Sequence, residues 1–308
     1  MNTRYRVAIG PSLFAAQDET PKRMLEEAGV EIVPNPFGRR LTEAEIIRQL
    51  DGVDGLIAGL EPLNRRVLST APQLKAIARV GIGMDNIDFE AVDEFGIRVS
   101  NTPEGPTQAV AEMTLTALLA LGRGLLPANA ALHEGKWRKQ VGFGLRGTRI
   151  LLIGYGRIGR RAGRLLQTLG AEVFITDPFV DKEDVGAGMR KVSLEEGLRT
   201  AEVVSLHASG GQCILGPDEF ALMRDGVVLL NSARGGLVDK DALIEALDSR
   251  KVSSAWFDAF WEEPYQGRLT EYEQVLLTPH LGTYTRQCRL SMEVGAVENL
   301  LRDLGILA

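Results

Sequence analysis

The stretch Arg149-Ile150-Leu151-Leu152-Ile153-Gly154-Tyr155-Gly156-Arg157-Ile158-Gly159, followed by Val173-Phe174-Ile175-Thr176-Asp177, decides the fold. The apolar run Ile150–Ile153 is short and bounded by glycine, which reads as a buried strand. Gly154, Gly156 and Gly159 form a G-x-G-x-x-G that opens a helical pattern, and the second strand ends at Asp177, 18 residues beyond Gly159. A glycine-rich turn alone carries little weight in a chain with 34 glycines. Strand, turn, helix, strand and acid in this order describe a dinucleotide-binding βαβ unit. Gly154 permits the tight turn, Gly156 lets a pyrophosphate approach the backbone, and Gly159 lets helix and strand pack closely. Arg157 and Ile158 lie at the helix N-terminus, where unpaired N–H groups and the dipole favour an anion. Asp177 suits a ribose 2′-hydroxyl and repels a 2′-phosphate. Pro178-Phe179-Val180 after it offers no arginine, so NAD is favoured over NADP.

Outward from this unit the chain alternates short apolar runs with helical patterns, the signature of parallel sheets with helices on their faces. Strands are expected at Val7–Ile9 (extended back to Arg4), Glu31–Val33, Gly55–Ala58, Ala76–Ala78 and Ile97–Val99. A second set is expected at Arg149–Ile153, Glu172–Thr176, Val203–Leu206, Val227–Leu230, Ser254–Phe257 and Val275–Leu277. Thr42 with Glu45 reads as a helix capping box. Between the two sets, Gly105–His133 is mostly helical, with Val110, Met113, Thr114, Ala117, Leu118 and Leu121 on one stripe and Pro127 as the expected interruption. This long element reads as the boundary between two domains. The last 20 residues read as a helix.

Composition narrows the function classes. Of 308 residues, 44% are hydrophobic and 25% charged, as in an ordinary soluble protein. The net charge is −6, and no basic cluster supports nucleic-acid binding. No apolar run is long enough to span a membrane. Arg4 and Arg6 ahead of residues 7–16 imitate a signal peptide, but Gly10-Pro11 breaks the run, and a cytoplasmic protein is expected. Cys213 and Cys288 form no metal or disulfide pattern, so no metal is expected.

Ligands of parallel sheets bind outside the carboxyl ends of the strands. In the second set those ends carry Gly154, Asp177, His207, Arg234, Asp258 with Glu263, and His280. In the first they carry Gly10, Gly59 and Gly81. One set therefore supplies polar groups and the other mainly backbone. Only three histidines exist. His133 falls at a helix end and suits the surface, and His207 suits a structural or cofactor-edge role. His280, after Pro279, is the best proton donor. Glu263 is the natural carboxylate to raise its pKa, the alternative being a solvated acidic turn beside Glu262. Arg234 suits bidentate grip of a carboxylate, the alternative being a surface ion pair.

The chain resembles the D-2-hydroxyacid dehydrogenase family, and most of all its phosphoglycerate dehydrogenase branch. The resemblance runs nearly end to end. It rests on Arg79-Val80-Gly81-Ile82-Gly83-Met84-Asp85-Asn86-Ile87-Asp88, Asn101-Thr102-Pro103, the Gly154–Gly159 fingerprint, Asn231-Ser232-Ala233-Arg234-Gly235-Gly236-Leu237-Val238-Asp239, Phe257-Asp258-Ala259-Phe260-Trp261-Glu262-Glu263-Pro264 and Pro279-His280-Leu281-Gly282. It implies two doubly wound parallel-sheet α/β domains. One is a flavodoxin-like substrate domain of residues 1–100 and 287–308, to which the C-terminal helix returns. The other is a Rossmann NAD-binding domain of residues 101–286. It implies catalytic roles for Arg234, Glu263 and His280. Asp258 would hold the nicotinamide carboxamide, and Ser232, His207 and Gly282 complete the cofactor set. Arg79 and the backbone of Gly81, Ile82 and Gly83 would bind substrate, and a homodimer is expected.

Several positions depart from the family pattern: Ala208-Ser209-Gly210-Gly211-Gln212, Thr283-Tyr284, and Gly59 where some phosphoglycerate dehydrogenases have arginine. With Ala308 as the last residue, a short form without the C-terminal regulatory domain of longer family members is expected. Any preference for a phosphorylated substrate then falls to Arg79, with Arg39 and Arg40 as further cations. The expected activity is NAD-dependent hydride transfer at C2 of a 2-hydroxy or 2-keto acid, phosphoglycerate dehydrogenase-like. The alternatives are a glyoxylate or hydroxypyruvate reductase and an NAD-sensing binding protein of corepressor type.

Overall fold

The computed structural model describes residues 5–307. Arg4, expected in the first strand, lies outside them. The chain divides into two compact units, Met1–Pro106 with Thr283–Ala308, and Thr107–Gly282.

The first unit runs β1 (Arg6–Ile9), α1 (Thr20–Glu27), β2 (Glu31–Val33), α2 (Glu43–Gln49), β3 (Gly55–Ala58), α3 (Arg65–Leu68), β4 (Ala76–Arg79), α4 (Phe89–Phe95) and β5 (Arg98–Asn101). Its sheet is parallel with strand order β2-β1-β3-β4-β5, the flavodoxin-like order. Thr42 begins α2 as the capping box requires, its N–H donating to Glu45 Oε2 at 2.8 Å. The fifth strand starts at Arg98, because Ile97 is still closing the αL turn at Gly96 that ends α4.

The long helical stretch is two helices, α5 (Gly105–Gly122) and α6 (Leu125–His133), bent by 60°. The break falls at Gly124, whose φ is +55°, and Pro127 sits harmlessly in the first turn of α6. The expected break at Pro127 is thus displaced to the residue that can adopt a left-handed backbone. Val110, Thr114, Ala117 and Leu118 of the stripe are buried. Among the described residues no single helix is long and apolar enough to cross a membrane.

The second unit continues with β6 (Arg149–Ile153), α7 (Arg157–Thr168), β7 (Glu172–Thr176), β8 (Arg190–Lys191), α8 (Leu194–Thr200), β9 (Val203–Leu206), α9 (Pro217–Leu222), β10 (Val227–Asn231), α10 (Lys240–Asp248), β11 (Val252–Phe257) and β12 (Val275–Leu277). Its parallel sheet has the order β12-β11-β10-β9-β6-β7-β8, a Rossmann sheet extended by β12. The two-residue edge strand β8 was not foreseen, because Arg190-Lys191 carries no apolar signal. The near-continuous apolar runs are explained by burial on both faces. Leu151 and Leu229 enter one core cluster, whereas Ile150, Leu152, Val228 and Leu230 enter the other.

The C-terminal helix α11 (Arg286–Asp303) belongs to the first unit and packs on β3, β4, β5 and α1. A Cβ at Gly55 of β3 would meet Leu300 Cδ1 at 3.2 Å, so helix and strand are in direct contact there. Leu300 is fully buried. Leu300→Ala is therefore expected to cost about 2–5 kcal/mol, read as a lower urea midpoint. An unchanged midpoint would mean that α11 does not anchor this sheet.

Candidate active site

The second sheet sets its functional loops side by side, because β10, β11 and β12 are neighbours and all run the same way. Arg234 follows β10, Glu263 follows β11 and His280 follows β12. Local contacts hold each loop. Buried Asn231 accepts the Ala233 N–H at Oδ1 (3.0 Å) and donates from Nδ2 to the Arg234 carbonyl (2.9 Å). Gly235 is required, since a Cβ there would lie 2.1 Å from the Phe260 carbonyl carbon. That close approach ties the Arg234 loop to the Glu263 loop. Trp261 Nε1 donates to the Val238 carbonyl at 2.8 Å, and Phe260 stacks on Tyr265 at 4.6 Å between centroids.

Asp258 braces the third loop. Its Oδ1 accepts the Thr278 hydroxyl (2.6 Å) and the Leu281 N–H (2.7 Å), and its Oδ2 accepts the Gly282 N–H (2.7 Å). Of roughly four lone-pair positions on a carboxylate, three are taken. Burial raises the pKa of Asp258, while these donors act against the rise. A Cβ at Gly282 would lie 3.0 Å from Oδ2, so glycine lets the loop close on the carboxylate. Between these anchors His280 takes φ +53°, unusual outside glycine.

That conformation aims His280 Nδ1 at both oxygens of Glu263, at 3.1 and 3.0 Å. The Glu263 hydrogen bond raises the His280 pKa above its ordinary value. Desolvation opposes it, the charges of Glu263 and Asp258 add to it, and Arg234 works against it. With Nδ1 held by Glu263, Nε2 is the ring nitrogen left for proton exchange. Arg234 donates from Nη1 to the Ala233 carbonyl at 2.8 Å. Its field at His280 places it in the same constellation.

The glycine-rich loop after β6 fits a dinucleotide. Gly154 has φ +96°, and a Cβ there would lie 2.5 Å from the Ala208 nitrogen. A Cβ at Gly159 would lie 2.3 Å from the Gly154 oxygen. At Gly156 a Cβ would meet nothing within 4 Å. Packing thus forces the first and third glycines, while the second faces the room a pyrophosphate needs. Gly156 is also the N-cap of α7, and Arg157 and Ile158 begin the helix. Asp177 accepts the Tyr155 N–H at Oδ2 (2.7 Å) and the Phe179 N–H at Oδ1 (2.8 Å), bracing the loop at the end of β7. His207 is half-buried beneath this loop, with Nε2 at 2.9 Å from Ser205 Oγ. Burial lowers its pKa to about 4, so it is neutral at physiological pH and suits packing against the fingerprint. Ser232 lies partly exposed beside the Asn231 turn.

The first unit holds Arg79 at the end of β4, 8% exposed, with Nη1 donating to the Val80 carbonyl. Gly81 follows at φ +134°. Its N–H donates to Thr102 Oγ1 at 2.8 Å, which the sequence did not foretell, so that expected substrate donor is already engaged. Asn101 Nδ2 fixes the loop through the Ile82 carbonyl at 2.9 Å. His133 is exposed at the end of α6.

Residues 115–282 match the family described as D-isomer specific 2-hydroxyacid dehydrogenase, NAD binding domain. A D-3-phosphoglycerate dehydrogenase of Pongo abelii is 33% identical over 292 residues, covering 92% of this chain and 54% of that protein. The chain thus spans about half the length of that relative. A hydroxypyruvate reductase of Thermotoga maritima is 31% identical over 313 residues, covering 98% of this chain and 99% of the relative. The crystal structure of the TT0316 protein from Thermus thermophilus superposes with a TM-score of 0.86 at 34% identity, covering 97% of each chain.

Glu263→Gln removes the charge that raises the His280 pKa. His280 must be protonated to donate, so a reaction that consumes its proton declines as pH rises through that pKa. In the variant this decline is expected at lower pH. A pH–rate profile that does not move means the pair does not control the proton.

Proposed function

Because the chain belongs to the D-isomer specific 2-hydroxyacid dehydrogenase family, we propose that it is an NAD-dependent oxidoreductase acting at C2 of a 2-hydroxy or 2-keto acid. The observation that carries the reading is the His280–Glu263 pair, 3.0 Å apart, on loops adjoining Arg234 at the edge of the NAD-binding sheet. When bound, NAD exchanges hydride with C2 of the substrate. The chain supplies the other functions. His280 Nε2 gives the proton to the C2 oxygen in reduction and takes it in oxidation. Glu263 holds the imidazolium form. The Arg234 guanidinium grips the carboxylate with parallel N–H donors and polarises the neighbouring carbonyl. Gly154, Gly156, Arg157, Ile158, Gly159 and Asp177 hold the adenosine and pyrophosphate end. Asp258, with its remaining lone-pair position, receives the carboxamide, and His207, Ser232 and Gly282 line the cofactor. The first unit serves as the substrate-binding domain through Arg79, Gly81, Ile82 and Gly83, with Gly81 acting through its shape.

The two curated relatives handle closely related three-carbon acids, which makes D-3-phosphoglycerate and D-glycerate, with their keto forms, the first candidates. NADH oxidation with a panel of 2-keto acids tests the reading. Wild type is expected to turn over at least one of them. His280→Ala is expected to keep NADH binding and lose about 10²–10⁴-fold in turnover, the usual worth of general acid–base catalysis. Turnover close to wild type in His280→Ala would remove His280 from this role.

A cytoplasmic homodimer is part of the same proposal. Leu125, Leu126 and Leu132 of α6 are exposed, and Trp137 and Val141 after it are 79% and 98% exposed. Such a run of large apolar side chains marks an association surface. Light scattering is expected to give twice the chain mass, and Leu126→Asp with Leu132→Asp to give the single mass. A monomeric wild type overturns the dimer.

A further inference from the structure

Gly10 after β1 and Gly59 after β3 make room for a third residue. A Cβ at Gly10 would lie 2.1 Å from Glu61 Oε1, and one at Gly59 would lie 2.8 Å from Oε2. Glu61 is only 1% exposed, and its Oε1 accepts the Gly59 N–H at 2.8 Å. Asn86 Nδ2 fixes its backbone through the Glu61 carbonyl at 2.7 Å. In a β2-β1-β3-β4-β5 sheet the winding reverses between β1 and β3, and the ligand crevice opens beyond their carboxyl ends. The Glu61 carboxyl lies at that switch point.

We infer that Glu61 sets the substrate class by excluding a phosphate from the first unit's crevice, so that the site takes a 2-keto acid whose third carbon bears a hydroxyl or another uncharged group. This rests on the dehydrogenase reading above. Three observations support it. The Glu61 carboxyl occupies the floor of the switch point, and in its ionised form it repels a second anion strongly. The Gly59 N–H, the backbone donor at the end of β3, is already given to Glu61 and is not left for a phosphate oxygen, and that holds in either protonation state. Two of the three candidate cations are also engaged. Arg39 Nη2 pairs with Glu45 Oε1 at 2.6 Å, and Arg79 Nη1 donates to the Val80 carbonyl. Burial raises the Glu61 pKa, whereas the Gly59 N–H and the charges of Arg79 and Arg40 pull it down. Arg79, one of the candidate cations for a phosphate, therefore already acts on the buried Glu61 carboxyl.

The test measures kcat/KM for hydroxypyruvate and 3-phosphohydroxypyruvate in wild type and Glu61→Gln. Wild type is expected to favour hydroxypyruvate. Glu61→Gln, which keeps an acceptor for Gly59, is expected to raise the relative kcat/KM of the phosphorylated substrate on the order of tenfold or more. A wild type that prefers the phosphorylated substrate, or a ratio unmoved in the variant, overturns the inference. Calorimetry on wild type, with D-glycerate and D-3-phosphoglycerate as probes, decides the matter if the variant fails to fold. Tighter binding of D-glycerate supports the inference, while equal or tighter binding of D-3-phosphoglycerate, or binding of neither, overturns it. If no 2-keto acid is reduced, the dehydrogenase reading fails, and the same calorimetry still judges Glu61.

Discussion

The loops after β10, β11 and β12 in the second unit depend on one buried carboxylate, that of Asp258. A loop of five residues from Thr278 to Gly282 returns three donors to it, two of them backbone N–H groups. Those bonds leave His280 a left-handed backbone conformation, with its ring turned toward Glu263. A residue other than glycine seldom adopts that region, and the cost is of order 1–3 kcal/mol. The surrounding hydrogen bonds over-determine the geometry and so offset that cost. Asp258 is thus a positioning residue first, and any contact with a cofactor uses what remains of its acceptor capacity.

The parallel sheet turns this local brace into a site. Because β10, β11 and β12 are adjacent and point the same way, the loops that follow them emerge together. An antiparallel sheet would have sent alternate loops to the opposite edge. The contact of Gly235 with Phe260 then fixes the spacing between the first two loops, and the Asp258 bonds fix the third. Three side chains with different chemistry, a guanidinium, a carboxylate and an imidazole, come together without any of them contributing to the core. The pKa of His280 follows from this spacing, since Glu263 is in contact and Arg234 acts only through its field.

Much of this was legible in the sequence, because strand ends in parallel sheets are marked by where apolar runs stop. The G-x-G-x-x-G and Asp177 sit at such stops, while Arg234, Glu263 and His280 lie in the loops that follow them. What was not legible depends on contacts between distant segments. Asn231 looks like an ordinary strand residue until its side chain is seen shaping the Arg234 loop. Thr102 is 21 positions from the Gly81 N–H that it occupies. Glu61, in Gly59-Leu60-Glu61-Pro62, carries no motif, and only the close approach of Gly10 and Gly59 shows that it is buried. Pro127 gave a false signal, because proline is tolerated in a helix's first turn, whereas Gly124 supplied the break.

The two buried carboxylates show where stability stops explaining the structure. Buried charges persist when hydrogen bonds or opposite charges compensate them. Asp258 is compensated by three donors and in return orders a loop. Glu61 has the Gly59 N–H and the fields of Arg79 and Arg40, against burial at least as complete. It also requires glycine at two strand ends, where glycine costs conformational entropy on folding. A well-packed apolar residue at position 61 would avoid the charge burial. Local choices that run against stability concentrate at functional sites. The switch point of the first sheet is therefore where this chain's discrimination among substrates is to be sought.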